Sequence, residues 1–296
     1  MIDQAQGLRT LVAQTVLRPR VAEVMDEVGL SPFSTGCTTI AVTSGKGGVG
    51  KTNISINLAL ALARMNKKVV LFDADLGLAN VNILLGINPR WTLLDVVEGR
   101  AVLGEILIQG PGNLSIVPAG SGVERMANLD SIALMKLLRS LTVLEESCDY
   151  LIFDTSAGIS NMVKAFVNTA DMPLVVATPE PSSMADAYAA VKMIYNSGKA
   201  EVNLISNMVK DEEEGFAVFN KLSLLTRRFL NRTPKYLGAL PSDRHLIAGV
   251  RSQNPVLLSQ ANAPFSRSVT RLAHRLLGHT PERDSTFFHR LFDLFR

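Results

Sequence analysis

The stretch TTIAVTSGKGGVGKT, residues 38–52, decides the fold. A run rich in Thr, Ile and Val leads into a glycine-rich loop that ends with Gly50-Lys51-Thr52. Glycines let backbone N–H groups turn inward around phosphate oxygens, and the N-terminus of a following helix adds positive potential. We therefore predict a strand, a phosphate-binding loop and a helix, in which Lys51 reaches the β- and γ-phosphates and Thr52 coordinates Mg²⁺. The predicted nucleotide-binding residues of this loop are Gly45, Gly47, Gly48, Val49, Gly50, Lys51 and Thr52.

Similar short apolar runs recur along the chain, and their lack of clean alternation is typical of strands buried on both faces. They lie at 67–73, 113–120, 149–154, 173–178, 201–207 and 235–241. Stretches with helical periodicity separate most of them, at 51–65, 130–146, 184–197 and 215–230. This alternation predicts an α/β fold with a doubly wound, mostly parallel sheet flanked by helices, as in P-loop NTPases.

The bulk composition narrows the class of protein. The 296 residues suffice for one large α/β domain or two small ones, and the net charge of +3 is too small to indicate nucleic-acid binding. The two cysteines, Cys37 and Cys148, show neither CxxC nor metal-ligand spacing, which favours a reducing compartment. Because no apolar run approaches the roughly 20 residues that span a bilayer, we expect a cytoplasmic protein.

Aspartates follow two of the predicted strands, where a magnesium site would need carboxylates. Asp73 ends the run at 67–73, Asp75 follows two residues later, and Asp154 ends the run at 149–154. The carboxyl ends of strands in an open α/β sheet face the ligand crevice. We expect Asp154 to hold the metal through water. Simple capping of strand ends and turns is the alternative for all three residues.

The loop Lys46–Thr52 resembles the deviant Walker A motif of the MinD/ParA ATPases, and the segments DADLGLANV (73–81) and DTSAGI (154–159) resemble that family's two switch regions. The resemblance covers roughly residues 38–275. It implies an ATP-bound homodimer in which Lys46 crosses to the nucleotide of the partner subunit. It also implies that Asp75 orients the attacking water and that Asp73 supports it near the metal. The alternative for Lys46 is that it faces solvent or its own nucleotide.

The same resemblance places the adenine site and a dimer interface. It implies that Asn207 contacts the adenine edge and that Pro241 and Asp243 lie against the base. A plain loop role is the alternative for these residues. The segment TPEPSSMADAY (178–188) is similar to the one that leads into the helix beside the family's dimer interface.

The N-terminal segment DQAQGLR (3–9) resembles a short element of the flagellar-number ATPases called FlhG or FleN. The resemblance implies a contact with the SRP-type GTPase FlhF, and it extends to flagellar switch (C-ring) proteins and a flagellar transcription activator as partners. The residues predicted to contact FlhF are Asp3, Gln4, Ala5, Leu8 and Arg9. The alternatives are a MinD-like division-site regulator, a nucleotide-dependent binding module that acts on the activator, and a DNA partition ATPase.

The C-terminal stretch STFFHRLFDLFR (285–296) is amphipathic at helical spacing. Its apolar arc consists of Phe287, Phe288, Leu291, Phe292, Leu294 and Phe295. A phenylalanine-rich arc opposite a basic face is typical of an interfacial helix, so we expect peripheral binding to lipid on the inner face of the cell membrane when ATP is bound. Such a tail argues against direct DNA binding. Docking on the protein's own surface is the alternative. The chain thus divides into 1–36, an ATPase domain at 37–278 and a tail at 279–296.

Overall fold

The computed structural model describes residues 36–75, 80–119, 125, 129, 131–199, 201–277 and 285–295. Its strands are β1 (Thr38–Thr43), β2 (Val69–Ala74), β3 (Ile108–Gln109), β4 (Leu114–Val117), β5 (Tyr150–Thr155), β6 (Met172–Ala177), β7 (Asn203–Val209) and β8 (Lys235–Pro241). The predicted N-terminal partner residues, Asp3, Gln4, Ala5, Leu8 and Arg9, lie outside the described residues.

Helices connect most of these strands. They are α1 (Lys51–Arg64), α2 (Asn80–Leu85), α3 (Leu93–Val97), α4 (Leu103–Ile106), α5 (Ser131–Ser147), α6 (Asn161–Thr169), α7 (Pro181–Asn196), α8 (Glu212–Leu230), α9 (Arg244–Arg251), α10 (Val256–Ser259), α11 (Pro264–Leu276) and α12 (Phe287–Phe295). Among the described helices, none is both long enough and apolar enough to cross a membrane.

The strands form one eight-stranded sheet in the order β3-β4-β2-β5-β1-β6-β7-β8. All neighbouring pairs are parallel except β3 with β4. The seven apolar runs of the sequence correspond to β1, β2 and β4–β8, which confirms the predicted doubly wound, mostly parallel fold. β1 lies in the interior of the sheet, so the loop that follows it opens between neighbouring strands at the carboxyl edge.

The side chains of β1 show why the strands lack a polar face. Ile40 and Val42 point into a core shared with α1 and α11, whereas Ala41 points into a second core on the opposite face. Helices therefore cover both sides of the sheet, and each strand residue meets apolar neighbours.

The C-terminal helix α12 belongs to this second core. Phe287, Phe288 and Leu291 are fully buried, and Phe292 is 4% exposed. The Phe287 ring stacks on Phe153 of β5 with centroids 4.3 Å apart. In this structure the tail is thus docked on the protein itself, the arrangement that the sequence left as the alternative to a lipid-facing helix.

Polar contacts fix the docked tail as well. The buried carboxylate of Glu145, on α5, accepts hydrogen bonds from the backbone N–H groups of Phe287 (2.9 Å) and Phe288 (3.0 Å). Arg290 donates to the carbonyl of Thr169 (2.9 Å) and to the Asp171 carboxylate (3.0 Å). The side chain of Phe295 lies outside the described residues, so its predicted lipid contact stays a prediction.

Candidate nucleotide-binding site

The phosphate-binding loop connects β1 to α1. Gly45 is required because a Cβ there would collide with the backbone carbonyl of Asp186. Gly50 has φ +90°, a left-handed conformation that favours glycine, and it precedes the first residue of α1. No side chain caps the N-terminus of α1. The N–H groups of this terminus therefore face the loop, as an anion site needs.

Lys51 lies inside the loop. Its Nζ is 3.1 Å from the Ser44 hydroxyl, and the side chain is buried. Burial lowers the pKa of Lys51, whereas the nearby carboxylates of Asp154 and Asp75 oppose that shift. A buried lysine at the N-terminus of a helix is suited to neutralise phosphate oxygens.

Two buried aspartates face each other across neighbouring strands. Asp73 on β2 and Asp154 on β5 are in register, and both are fully buried. Burial, and then the charge of Asp154, raise the pKa of Asp73 to about 8. Burial raises the pKa of Asp154 to about 6, while hydrogen bonds from Thr52 and Ser55 oppose the shift. Asp73 is therefore expected to keep its proton at neutral pH in the nucleotide-free protein.

This raised pKa predicts a pH-dependent stability. An unfolded aspartate ionises near 4, so the folded chain holds a proton on Asp73 that the unfolded chain has lost, up to about pH 8. The free energy of unfolding should therefore fall as the pH rises through this window. Asp154, whose pKa is raised to about 6, completes most of its titration by about pH 7. Above about pH 7 the fall thus belongs mainly to Asp73, whose contribution over the whole window from pH 6 to 8 is at most about 2–3 kcal/mol.

Asp73→Asn should remove that dependence. We expect the Tm of the wild type, measured without nucleotide or Mg²⁺, to fall between pH 6 and 8 by roughly 5 °C more than the Tm of Asp73→Asn. Asp154→Asn should keep a slope, but one shifted to lower pH, because it removes the charge that helps to raise the pKa of Asp73 and leaves the burial of Asp73 unchanged. Equal slopes for the wild type and Asp73→Asn would contradict the assignment.

The residues present fit a nucleotide with Mg²⁺. Among the described residues, Asp73 Oδ2 and Asp154 Oδ2 are buried without a hydrogen-bond partner. Thr52 and Ser55 both contact Asp154, with the Ser55 hydroxyl 2.8 Å from Asp154 Oδ1. The loop also leaves space for phosphates, because Cβ atoms added to Gly47 or Gly48 would meet nothing within 4 Å.

Asp75 lies at the edge of this group and is half-buried. Asn80, the first residue of α2, donates a hydrogen bond of 2.9 Å to Asp75 Oδ2. The contact orients the carboxylate beside the loop. Its position is compatible with the predicted role in orienting water.

Lys46 is separated from Lys51 in spite of their proximity in sequence. Lys46 Nζ is 2.9 Å from Glu180 Oε2 and 3.0 Å from the Ser182 hydroxyl, and the side chain is 39% exposed. Both partners lie in the segment 178–188, which by the family resemblance is predicted to lead into a helix beside a dimer interface. One lysine is therefore inside the phosphate loop, and the other is on the surface.

Asn207, Pro241 and Asp243 lie at the same edge of the sheet. Asn207 Nδ2 donates to the carbonyl of Val49 (2.7 Å), so it supports the phosphate loop. Asp243 accepts from the backbone N–H groups of His245 (2.8 Å) and Phe265 (3.0 Å). These contacts assign Asp243 a structural role at the starts of α9 and α11, while the predicted contacts with adenine stay predictions.

Sequence analysis did not assign four polar residues to the site, although it considered Ser182 as a possible helix cap. They are Ser44, Ser55, Glu180 and Ser182. Ser55 follows Lys51 by one helical turn, a spacing that would have placed it on the same side of α1. Glu180 lies 134 residues from Lys46 and carried no comparable signal.

Comparison with known proteins identifies relatives across most of the chain. A family model described as "ParA: NUBPL iron-transfer P-loop NTPase" matches residues 37–277. The chain is 43% identical to the antiactivator FleN of Pseudomonas aeruginosa, over 80% of this chain and 83% of that protein. It is 36% identical to the flagellum site-determining protein YlxH of Helicobacter pylori, over 80% of this chain and 81% of that protein.

Solved structures share the fold. The MinD cell division protein of Aquifex aeolicus superposes with a TM-score of 0.66 at 28% identity, covering 83% of this chain and all of that one. The family model spans the phosphate loop, both aspartate-bearing strands and Lys46. The chain therefore belongs to the ParA/MinD family of P-loop ATPases.

Proposed function

We propose that this ATPase is a dimerising switch that controls the number or placement of flagella. The support comes from its similarity to an antiactivator FleN and to a flagellum site-determining protein. In this proposal ATP and Mg²⁺ bind at the phosphate loop, ATP-bound subunits form a homodimer, and slow hydrolysis returns them to monomers.

The separation of the two lysines carries this proposal. Lys51 is buried beside Ser44, whereas Lys46 is on the surface, where Glu180 and Ser182 of its own chain hold it. A surface cation at the edge of a phosphate site can reach the nucleotide of a second subunit, as an arginine finger does. Hydrolysis would then require the dimer, so the enzyme acts as a timer rather than as a rapid catalyst.

The other residues of the site would bind the phosphates, hold Mg²⁺ and orient the attacking water. Lys51 and the N-terminus of α1 would hold the phosphates, and Thr52 with Asp154 would hold Mg²⁺. Mg²⁺, when bound, supplies positive charge between the phosphate oxygens. Asp75 orients the attacking water, and Asp73, in register with Asp154 on the neighbouring strand, supports Asp75 near the metal.

Membrane binding is the second part of the proposal. The dimer would be cytoplasmic and peripheral on the inner face of the cell membrane, and α12 would leave its docked position to insert its apolar arc into lipid. One short helix binds weakly, so the two tails of a dimer would supply avidity. The proposed partners of the membrane-bound dimer are the SRP-type GTPase FlhF, C-ring proteins and a flagellar transcription activator.

Asp75→Ala is expected to bind ATP and form the dimer but to turn over at least about 100-fold more slowly, because the attacking water is no longer oriented. Size-exclusion chromatography after an ATP chase should show a dimer that persists. Asp211→Ala, an exposed aspartate that caps α8, is a matched control and should turn over normally. Wild-type turnover by Asp75→Ala would assign the water to another carboxylate.

A cellular experiment tests the flagellar role. Deletion of the gene should change the number or position of flagella counted by electron microscopy, and the wild-type gene should restore the count, whereas Lys51→Ala should not. Unchanged flagella together with misplaced division septa would instead support a MinD-like division-site regulator. The similarity to a solved MinD cell division protein is the observation that supports this second candidate.

A further inference from the structure

Cys37 and Cys148 lie next to each other although 111 residues separate them in the chain; their sulfur atoms are 3.3 Å apart. Cys37 directly precedes β1, and Cys148 lies between α5 and β5. The backbone holds both in place, because Thr38 donates a hydrogen bond of 2.8 Å to the carbonyl of Asp149. The contact is therefore built by the pairing of two neighbouring strands.

The geometry is close to that of a disulfide. The sulfurs need to approach by about 1.3 Å to reach the S–S bond length of about 2.05 Å. Thr38 is opposite Tyr150 in the parallel sheet, so Cys37 lies one residue out of register with Cys148. A strand spacing of about 4.8 Å and a rise of about 3.3 Å per residue then place their Cα atoms about 6 Å apart, which is within the separation that a disulfide tolerates. Small changes of the side-chain torsions are thus enough to form the bond.

The two thiols differ in accessibility. Cys37 is 1% exposed, whereas Cys148 is partly exposed. An external reagent therefore meets Cys148 first, and Cys37 lies directly behind it. An accessible thiol next to a buried second thiol is the arrangement of an attacking and a resolving cysteine.

We propose that Cys37 and Cys148 form a redox-responsive dithiol that accepts a disulfide bond from a small-molecule disulfide such as oxidised glutathione. The Cys148 thiolate attacks one sulfur of that disulfide and releases one glutathione thiolate. Cys37 then loses its proton to solvent and attacks Cys148 Sγ, which releases the second glutathione. Two protein thiols are oxidised to one disulfide, and one glutathione disulfide is reduced to two thiols.

The bond would connect two functional parts of the fold. β1 leads into the phosphate loop, and α5 carries Glu145, which holds the amide groups of the docked tail. Closing a loop of this length constrains the unfolded chain strongly, so oxidation should raise the Tm by on the order of 5–10 °C.

The test uses the full chain, reduced and then equilibrated with a series of ratios of reduced to oxidised glutathione. We expect the wild type to lose two hydrogens in intact mass, to yield a peptide linking 37 to 148, and to show the rise in Tm. Cys37→Ser should instead retain one glutathione on Cys148, and native Cys148→Ser should stay unmodified. Neither variant should gain stability.

Two results would overturn the proposal. In the first, the wild type retains a stable glutathione on Cys148, as Cys37→Ser does. In the second, the wild type keeps both thiols at the most oxidising ratio. Either result would mean that the 3.3 Å contact between the sulfur atoms is a packing contact without redox function. If Cys37→Ser does not fold, Cys37→Ala replaces it, because Cys37 belongs to an apolar core. The linked peptide of the wild type decides the question independently of both variants.

Discussion

Lys46→Ala is expected to keep near-normal affinity for ATP but to lose the ATP-dependent dimer and to hydrolyse on the order of a thousandfold more slowly. The phosphates of its own nucleotide are left to Lys51, which is buried beside Ser44 and does not depend on Lys46. What disappears is a surface cation placed at the segment 178–188. Sedimentation with ATP would measure the dimer, and phosphate release would measure hydrolysis.

A matched control variant removes one lysine charge at a position remote from the phosphate loop. Lys235→Ala does so, because Lys235 begins β8, at the end of that strand away from the phosphate loop, and forms an ion pair with Glu201. It should dimerise and hydrolyse as the wild type does. Lys51→Ala should lose ATP binding itself, which separates the two lysines. If Lys46→Ala dimerises normally, Lys46 serves its own chain, and its pairing with Glu180 is a surface contact of little energetic value.

The sequence was sufficient to predict those features that depend on local pattern. Strands such as β1, buried on both faces, produce continuous apolar runs, and the spacing from Gly45 to Thr52 places a loop between a strand and a helix. The carboxyl edge of a parallel sheet then brings Asp73 and Asp154 together, although 81 residues separate them. The fold and the proximity of Asp73 to Asp154 therefore followed from periodicity and topology.

Features that depend on distant contacts could not be predicted in this way. The pairing of Lys46 with Glu180 and the contact of Cys37 with Cys148 join segments more than 100 residues apart. The position of α12 shows a different limit. An amphipathic arc requires an apolar environment, but a membrane and the protein's own core satisfy that requirement equally. In this structure Phe153 of β5 supplies the environment.

One residue of the tail allows an experiment to distinguish docking on the protein's own core from binding to a membrane. Leu294 belongs to the apolar arc of α12 but is 57% exposed in the docked helix, whereas Phe292 is 4% exposed. Phe292→Glu would place a carboxylate in the core and impair folding as well as lipid binding. Leu294→Glu should leave folding and the Tm nearly unchanged, because the side chain contributes little to the docked state.

Leu294→Glu is therefore expected to affect the membrane-bound state selectively. Burial of a leucine in a lipid interface is worth about 2 kcal/mol, and a dimer with two tails would lose about 4 kcal/mol, or around a thousandfold in avidity. Co-sedimentation with anionic liposomes in the presence of ATP should fall to background, while dimerisation in solution persists. Val143→Glu, which places the same charge at a similarly exposed position (56%) on α5, is the matched control and should bind liposomes normally. Equal liposome binding by Leu294→Glu and the wild type would mean that α12 stays docked and that the tail is not the membrane anchor.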